Sequence, residues 1–381
     1  MQDCLANIRA DLAVLNRGTD IYYYTGSFQP MYLIVPAAGG PFVLARKAIE
    51  RIRAEAPQID LEVFSGSRDL TAIFARRGLS SPAKAAFTLD ATSYSAVMRF
   101  HQLLGQPEIA DISWDIRTLR MAKSEAELAV QRGAGEVMAG IPDLISSGFR
   151  PGMMEIEMSA VMENYLRLRG HAALLRSRRE GIEMAACGIC SAGTNSLSGT
   201  KFDGVCGGAG ISAAAPYGAG FNAIPERTPV IVDFALCYND YHVDQTRMFS
   251  WGRPADEVLA AYDAMVGIER AIVENLRPGA VWEDLYNLSV EMAAESGYAE
   301  VFMGDGDEQV KFVGHGVGLE LDEPPYLAPK MPDKLTAGMV LAIEPKVALP
   351  GVGIVGIEDT FIVREGQPER ITTAPREFIV V

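Results

Sequence analysis

The sequence predicts a two-domain α+β protein, with a smaller α/β domain at residues 1–116 and a larger α+β domain at residues 117–381. Three observations lead to this prediction. Strand-like and helix-like runs alternate early in the chain, a helical motif occurs twice later on, and each copy of that motif precedes a hairpin-like segment with paired acids. A length of 381 residues with 49% hydrophobic residues supplies enough core for two or three domains.

The smaller domain is predicted from its alternating periodicities. Apolar, β-rich runs at residues 21–25, 31–35 and 42–45 are followed by a helical pattern at 47–56 and a further strand at 61–64. Strands that alternate with helices in this way are typical of an α/β domain.

The larger domain is predicted to begin with a helix and to contain an internal duplication. Ser124 and Glu127 have the spacing of a capping box, which marks the start of that helix. Arg-Pro-Gly occurs at 150–152 and again at 277–279, and a helical stretch ending at a glycine follows each copy with a constant offset of 127 residues. Two copies predict a pseudo-twofold duplication, because a solenoid would need at least three units.

The first hairpin-like segment, at residues 230–249, is apolar and β-rich, with a turn signal at 238–240. Asp233 and Asp244 lie at nearly equal distances on either side of this turn. In a simple antiparallel hairpin they would therefore be cross-strand neighbours, with Cβ atoms roughly 5 Å apart.

The second hairpin-like segment, at residues 339–363, repeats the arrangement. Glu344 and Glu358 flank the turn at 350–351 symmetrically. Carboxylates held close together in a half-buried sheet repel one another, and burial adds a desolvation cost, so a cation is expected between them.

A single histidine, His315, lies in the sequence between the acids of the first hairpin and those of the second. Glycines flank it, at Gly314 and Gly316. Four carboxylates and one neutral imidazole suit two divalent ions about 3.5–4 Å apart. The oxygen-rich set favours Mn2+, while Co2+, Fe2+ or Zn2+ could also bind. The alternative interpretation is that the acids lie on exposed strand faces, as in many acidic proteins.

At these residues the chain resembles the pita-bread metallopeptidases, a family that includes aminopeptidase P, prolidase, methionine aminopeptidase and the metal-free creatinase branch. The resemblance extends over residues 120–381, and residues 1–116 look like the N-terminal domain of the creatinase and prolidase branch. The runs that carry it are Val232-Asp233-Phe234, Val243-Asp244-Gln245-Thr246-Arg247, Gly314-His315-Gly316-Val317-Gly318, Ile343-Glu344-Pro345 and Ile357-Glu358-Asp359-Thr360.

The resemblance implies a pita-bread catalytic domain with pseudo-twofold duplication, preceded by the smaller creatinase-type domain. It implies that Asp233, Asp244, His315, Glu344 and Glu358 bind the two ions, and that Glu344 is also the acid/base group. The implied activity is that of a dinuclear metal-dependent hydrolase of a peptide or peptide-like C–N bond, best matched by an Xaa-Pro dipeptidase or aminopeptidase. Relatives with this N-terminal domain are commonly homodimers, so a homodimer is expected.

Three departures from the family pattern concern the substrate. Asp322 stands where relatives carry a second histidine, Pro216 marks the position of another missing histidine, and Gly356 replaces an arginine. We therefore expect Asp322 to contact substrate, and His242, which shares a strand face with Asp244, to do so as well. The departures leave two alternatives open: a creatinase-like hydrolase of a non-peptide C–N bond, and a catalytically inactive interaction module.

Composition excludes several other classes. A net charge of −15 and a pI near 4.8 argue against nucleic-acid binding, which needs a basic face. No apolar run reaches the length of a membrane span, and the N-terminus lacks the apolar core of a signal peptide. We expect a cytoplasmic enzyme that acts on a small peptide or amide, with five free cysteine thiols.

Overall fold

A computed structural model describes residues 1–179, 187–202 and 204–381. The chain forms two compact units. One comprises Met1–Arg120 with a short segment that begins at Arg178, and the other comprises Met121–Ser177 with the remainder of the chain to Val381. The smaller unit has the strand and helix alternation that the sequence predicts.

The smaller unit is built on one mixed sheet with helices on both faces. Strand β1 lies near the middle of the sheet, antiparallel to β2 and parallel to β5, so that the strand order is β4-β3-β2-β1-β5-β6. Aromatic side chains such as Phe42, Phe74 and Phe100 fill the core on one face. The strands are β1 (Leu12–Leu15), β2 (Tyr32–Pro36), β3 (Phe42–Ala45), β4 (Asp60–Val63), β5 (Lys84–Phe87) and β6 (Glu108–Asp111).

One helix of the smaller unit lies where the sequence predicts a strand. The strand expected at residues 21–25 is wrong, because this run lies in a helix. Ile21 and Thr25 are four residues apart and both buried, so helical spacing places them on one face, and this packing outweighs the β-propensity of the run. The helices are α1 (Gln2–Ile8), α2 (Gly18–Thr25), α3 (Ile49–Glu55), α4 (Ser67–Arg76), α5 (Tyr94–Leu103) and α6 (Ser113–Met121).

The larger unit confirms the predicted capping box and duplication. The hydroxyl and the backbone N–H of Ser124 both donate to Glu127 at the start of α7. Each Arg-Pro-Gly motif leads into a helix of 14 residues, α9 or α11, and both ends of these helices are offset by 127 residues. The helices of this unit are α7 (Glu125–Met138), α8 (Ile141–Gly148), α9 (Glu155–Leu168), α10 (Asp256–Glu274) and α11 (Trp282–Glu295), with 3₁₀ turns at Gly193–Leu197 and Gly306–Glu308.

Each half of the duplication contains a largely antiparallel sheet; in the first, the strand at Ile379–Val380 pairs in parallel with its neighbour. In the first, the described strands follow the order β17-β9-β8-β7; in the second, they follow β11-β10-β12-β15-β16, with β13 and β14 as a separate pair. The strands are β7 (Gly188–Ala192), β8 (Val230–Tyr238), β9 (Tyr241–Ser250), β10 (Gly314–Gly316), β11 (Glu323–Leu327), β12 (Val340–Ile343), β13 (Lys346–Leu349), β14 (Gly353–Gly356), β15 (Asp359–Ile362), β16 (Glu369–Arg370) and β17 (Ile379–Val380).

The first hairpin forms with a different register from the predicted one. Asn239 and Asp240 both have positive φ, of 43° and 72°, and make a two-residue turn that pairs Tyr238 with Tyr241. Asp233 consequently pairs with Thr246 rather than with Asp244. The prediction of directly opposite acids is therefore wrong, and Asp244 lies diagonally across from Asp233 on the same face, because alternate residues of a strand point the same way.

The second hairpin has the predicted symmetry. Its strands form two ladders, in which Ile343 pairs with Asp359 and Lys346 pairs with Gly356. Glu344 and Glu358 lie between these ladders at matching positions. The predicted symmetric pair of glutamates is confirmed.

The hydrophobic core of the larger unit consists of two main clusters. One includes Met265, Trp282 and Ile343, and the other includes Met162, Phe234 and Val340. All five cysteines are free, as expected. Among the helices of the described residues, none is both long and apolar enough to cross a bilayer.

Two helical glycines allow a matched test of this packing. A Cβ on Gly135 would lie 2.0 Å from the carbonyl oxygen of Ile371, whereas a Cβ on Gly267 would meet no described atom within 4 Å. We predict that Gly135→Ala lowers the free energy of unfolding by about 1–3 kcal/mol through overpacking. Gly267→Ala should raise it by about 0.5–1 kcal/mol through helix propensity. Urea denaturation measures both; equal effects of the two substitutions would contradict the packing described.

Candidate metal centre

The structure brings together all five residues predicted to bind metal. Asp233 and Asp244 extend from β8 and β9, His315 from β10, and Glu344 and Glu358 from the breaks between the two ladders of the second hairpin. Ligand atoms of Asp244, His315 and Glu358 all lie within 4.8 Å of one another. His315 Nε2 lies 3.5 Å from Glu344 Oε1, which brings a third acid to the same group, and Asp233 is joined to Glu344 and Glu358 through Lys346.

Backbone and side-chain hydrogen bonds join the two hairpins at Thr246, the residue opposite Asp233. The backbone N–H of Thr246 donates to the Glu358 carbonyl at 3.2 Å, and its hydroxyl donates to Glu358 Oε2 at 2.8 Å. A second link runs from the second hairpin to the first, where the Thr360 hydroxyl donates to the Asp244 carbonyl oxygen. The relative position of the acids is thus fixed by sheet pairing.

Arg247 supports this junction from behind the sheet. Its fully buried guanidinium donates to the carbonyl oxygens of Thr246 and Glu358 at 2.8 and 2.9 Å, and to Asp359 Oδ1 at 2.7 Å. A bidentate fork fits this task because it satisfies several acceptors with a fixed geometry. Arg247 therefore positions Glu358 without pointing into the cluster.

Burial and mutual repulsion dominate the electrostatics of the cluster. Burial, followed by the charges of Glu358 and Asp233, raises the pKa of Asp244 well above its usual range. Burial likewise raises the pKa of Glu358 to about 7, although the Lys346 ammonium opposes the shift. Burial works to lower the pKa of His315, but the carboxylates of Asp322 and Glu344 outweigh it and raise that pKa. A cation in the cluster relieves this repulsion.

Lys346 is not among the residues that the sequence predicts for the site, yet it lies within the cluster. Its ammonium donates to Glu344 Oε2 at 2.7 Å, Glu358 Oε2 at 2.9 Å and Asp233 Oδ2 at 3.1 Å. A signal for it exists in the sequence. Lys346 is the one charged residue of the buried strand 346–349, and it follows Glu344 by two positions.

The two predicted substrate-contact residues have different surroundings. Asp322 is partly exposed. Its carboxylate raises the pKa of His315 more than any other charge does, so Asp322 lies beside the cluster. His242 is fully buried: its Nδ1 lies 2.9 Å from the Gly318 carbonyl oxygen, and its Nε2 accepts from the backbone N–H of Arg176. Substrate contact by either residue stays a prediction. The geometry gives His242 a position beneath the loop that follows His315.

The donor set fits a divalent ion on the side of His315. Glu358 Oε1 is buried and has no hydrogen-bond partner among the described residues, although an unpaired buried carboxylate oxygen is costly. Together with Asp244 and His315 it offers oxygen and imidazole ligands of the kind that bind Mn2+, Fe2+, Co2+ or Zn2+. On the side of Asp233, the acids meet the Lys346 ammonium instead.

Comparisons with known proteins agree with this fold. The model of metallopeptidase family M24 matches residues 129–365, and that of the creatinase/prolidase N-terminal domain matches residues 1–122. The chain therefore belongs to metallopeptidase family M24. The family resemblance, the enzyme class and the fold class that the sequence predicts are confirmed.

Relatives and solved structures cover most of the chain. A probable dipeptidase PepE of Mycobacterium tuberculosis is 28% identical over 97% of this chain and 91% of its own, and an Xaa-Pro dipeptidase of Pyrococcus furiosus is 28% identical over 75% and 73%. The crystal structure of the prolidase from Pyrococcus horikoshii matches with a TM-score of 0.82 at 22% identity, covering 99% of this chain and 98% of that one. At this identity the structural match shows the shared fold.

The hairpin that carries Asp233 depends on a buried histidine behind its turn. His171 Nδ1 accepts from the backbone N–H of Cys237 at 3.0 Å. Burial, and then the nearby charge of Arg167, lowers the pKa of His171 from 6.5 to about 4. The unfolded chain therefore binds more protons between these two values, so the stabilising contribution is complete above the unfolded pKa and is lost as the pH falls toward the folded pKa.

We predict that wild-type protein loses about 2 kcal/mol more unfolding free energy than His171→Gln when the pH falls from about 7.5 to about 5. Denaturant unfolding at the two pH values measures this difference. Parallel losses in the two proteins would show that His171 does not titrate in this range.

Proposed function

We propose that this chain is a metal-dependent hydrolase of peptide or peptide-like C–N bonds, acting on Xaa-Pro dipeptides or on the N-terminus of longer Xaa-Pro peptides. The observation that carries the proposal is the convergence of four carboxylates and one imidazole from separate strands at a single buried point. Membership of metallopeptidase family M24 supports it, as do the relatives named dipeptidase and Xaa-Pro dipeptidase.

The proposed metal ligands are Asp233, Asp244, His315, Glu344 and Glu358. Two divalent ions, with Mn2+ favoured over Co2+, Fe2+ or Zn2+, are the complement that the family implies for this set. A bound ion supplies an acidified water and a polarised scissile carbonyl. Glu344 would take a proton from the attacking water and return one to the leaving nitrogen, because its Oε1 lies beside His315 whereas its Oε2 accepts from Lys346.

Several further expectations form part of this proposal. The chain is expected to divide at residue 116 into an N-terminal domain, 1–116, and a catalytic domain, 117–381. It is expected to be a cytoplasmic homodimer that takes a small peptide and binds neither nucleic acid nor membrane. The acidic composition, with a net charge of −15, supports the exclusion of nucleic acid.

One observation favours a second candidate, a creatinase-like hydrolase of a non-peptide C–N bond. Lys346 already supplies a cation to the acids of the cluster, which lowers their need for metal. The discriminating assay is hydrolysis of dipeptides, with and without proline, and of small non-peptide amides, before and after removal of metal with a chelator. Peptide hydrolysis that is lost with the metal and restored by Mn2+ supports the first candidate.

Glu344→Gln is predicted to lower kcat for the best dipeptide by at least about 100-fold, the usual scale for loss of a general acid/base. The fold should persist, because the amide keeps the size of the side chain. Glu365→Gln is the matched control, since Glu365 is exposed on the loop after β15. Activity of Glu344→Gln within a few fold of wild type would show that another group transfers the proton.

Asp322→His is predicted to raise turnover of Xaa-Pro dipeptides several-fold. A neutral histidine can donate a hydrogen bond to a developing oxyanion, whereas an ionised aspartate can only accept. Asp333→His, a change at an exposed residue of the same unit, is the control. If Asp322→His and Asp322→Ala both leave every activity unchanged, Asp322 does not contact substrate.

A further inference from the structure

The Lys346 ammonium is buried among carboxylates at the centre of the acid cluster. Only 1% of its side chain is exposed, and its Nζ lies within 3.1 Å of oxygens from three different carboxylates. Those three acids come from both hairpins, so the ammonium lies between the two halves of the duplication. This is the kind of position that a metal ion shared by the same carboxylates would take.

The residue opposite Lys346 makes room for its side chain. Gly356 pairs directly with Lys346 in the ladder of β13 and β14. A Cβ on Gly356 would lie 2.4 Å from Lys346 Cγ and 2.6 Å from the Pro345 carbonyl oxygen. The aliphatic part of Lys346 therefore packs over a glycine that admits no larger residue, and this packing directs the ammonium into the cluster.

The carboxylate oxygens of the two glutamates divide between the ammonium and the side of the cluster that holds His315. The Oε2 atoms of Glu344 and Glu358 both accept from Lys346. Glu344 Oε1 faces His315 instead, and Glu358 Oε1 is buried without a hydrogen-bond partner among the described residues. Each glutamate thus has one oxygen on the ammonium and one left for a second cation near Asp244 and His315.

Repulsion between the Lys346 ammonium and a neighbouring metal ion separates the two cation complements, because the ammonium already contacts three of the four acids. Four ionised carboxylates carry four negative charges, which Lys346 and one divalent ion reduce to a single negative charge. Before any bound hydroxide is counted, two divalent ions beside the ammonium would leave a single positive charge, so the two complements differ in sign but not in magnitude. Buried excess charge of either sign is unfavourable, but a direct ammonium–ion contact adds repulsion at close range.

We propose that the Lys346 ammonium takes the place of one of the two divalent ions, so that each chain binds a single ion, at Asp244, His315, Glu344 and Glu358. This inference rests on the proposed function only in that the cluster binds metal. In this arrangement Asp233 is an ion-pair partner of Lys346 rather than a metal ligand. The metal site is therefore expected to be mononuclear, both in the number of ions bound per chain and in its spectrum.

The test is the number of Mn2+ ions bound per chain, measured by native mass spectrometry and elemental analysis after chelation and reloading of the full-length protein. Wild type is expected to bind one ion and to give the hyperfine-split electron paramagnetic resonance spectrum of isolated Mn2+. Lys346→Met removes the charge while keeping most of the length of the side chain, and is expected to bind two ions with the broadened spectrum of a coupled pair. Lys334→Met, at an exposed lysine, is the matched control and should bind one.

The wild-type count can overturn the proposal even if Lys346→Met does not fold. Two ions per wild-type chain, or the same count in Lys346→Met and wild type, overturns the role of Lys346 and leaves the proposed hydrolase intact. No ion in wild type overturns both the role of Lys346 and the metal dependence of the hydrolase. One ion in a protein that cleaves no peptide supports the role of Lys346 and removes the proposed peptidase activity.

Discussion

Repulsion among buried carboxylates is the constraint on which the arrangement of the larger unit depends. Asp244, Glu344 and Glu358 are nearly excluded from water and lie close to a further acid, Asp233. In such surroundings like charges strongly oppose ionisation, as the raised pKa values of Asp244 and Glu358 express. The sheet must therefore hold these groups together against their repulsion and supply cations that compensate it.

The duplicated architecture accomplishes the first of these tasks. Each half contributes one hairpin, and the pairing of Thr246 with Glu358 joins the two hairpins at the level of the acids. Arg247 and Asp359 form a fully buried ion pair directly behind this junction. Breaking such a pair is costly because it leaves a buried charge without a partner, so the support of the cluster is itself under strong constraint.

Much of this arrangement follows from the sequence, because its signals are local. The offset of 127 residues predicts two helices of equal length, and the symmetry of Glu344 and Glu358 about their turn predicts the second hairpin. The register of the first hairpin does not follow, because it depends on the positive φ values of Asn239 and Asp240, which shift the pairing. The helix at 21–25 is missed for a related reason, since burial on one face decides against the β-propensity of the residues.

The cation of the site shows a different limit. A search for acids and histidine finds the proposed ligands, whereas Lys346 is visible only as the one charged residue of a buried strand, two positions after Glu344 and opposite a glycine. The burial and hydrogen bonds of His242 depend on the loop after His315, which lies far away in sequence. Such long-range pairings set how the cluster is neutralised, and hence which chemistry it can perform.

The number of metal ions beside Lys346 is tested most directly by anomalous diffraction at the manganese absorption edge, from crystals of the full chain grown with Mn2+. The account predicts one anomalous peak, ligated by Asp244, His315 and the glutamates, with Lys346 Nζ still hydrogen-bonded to Asp233. Two peaks about 3.5–4 Å apart, with Lys346 displaced from the carboxylates, would contradict it.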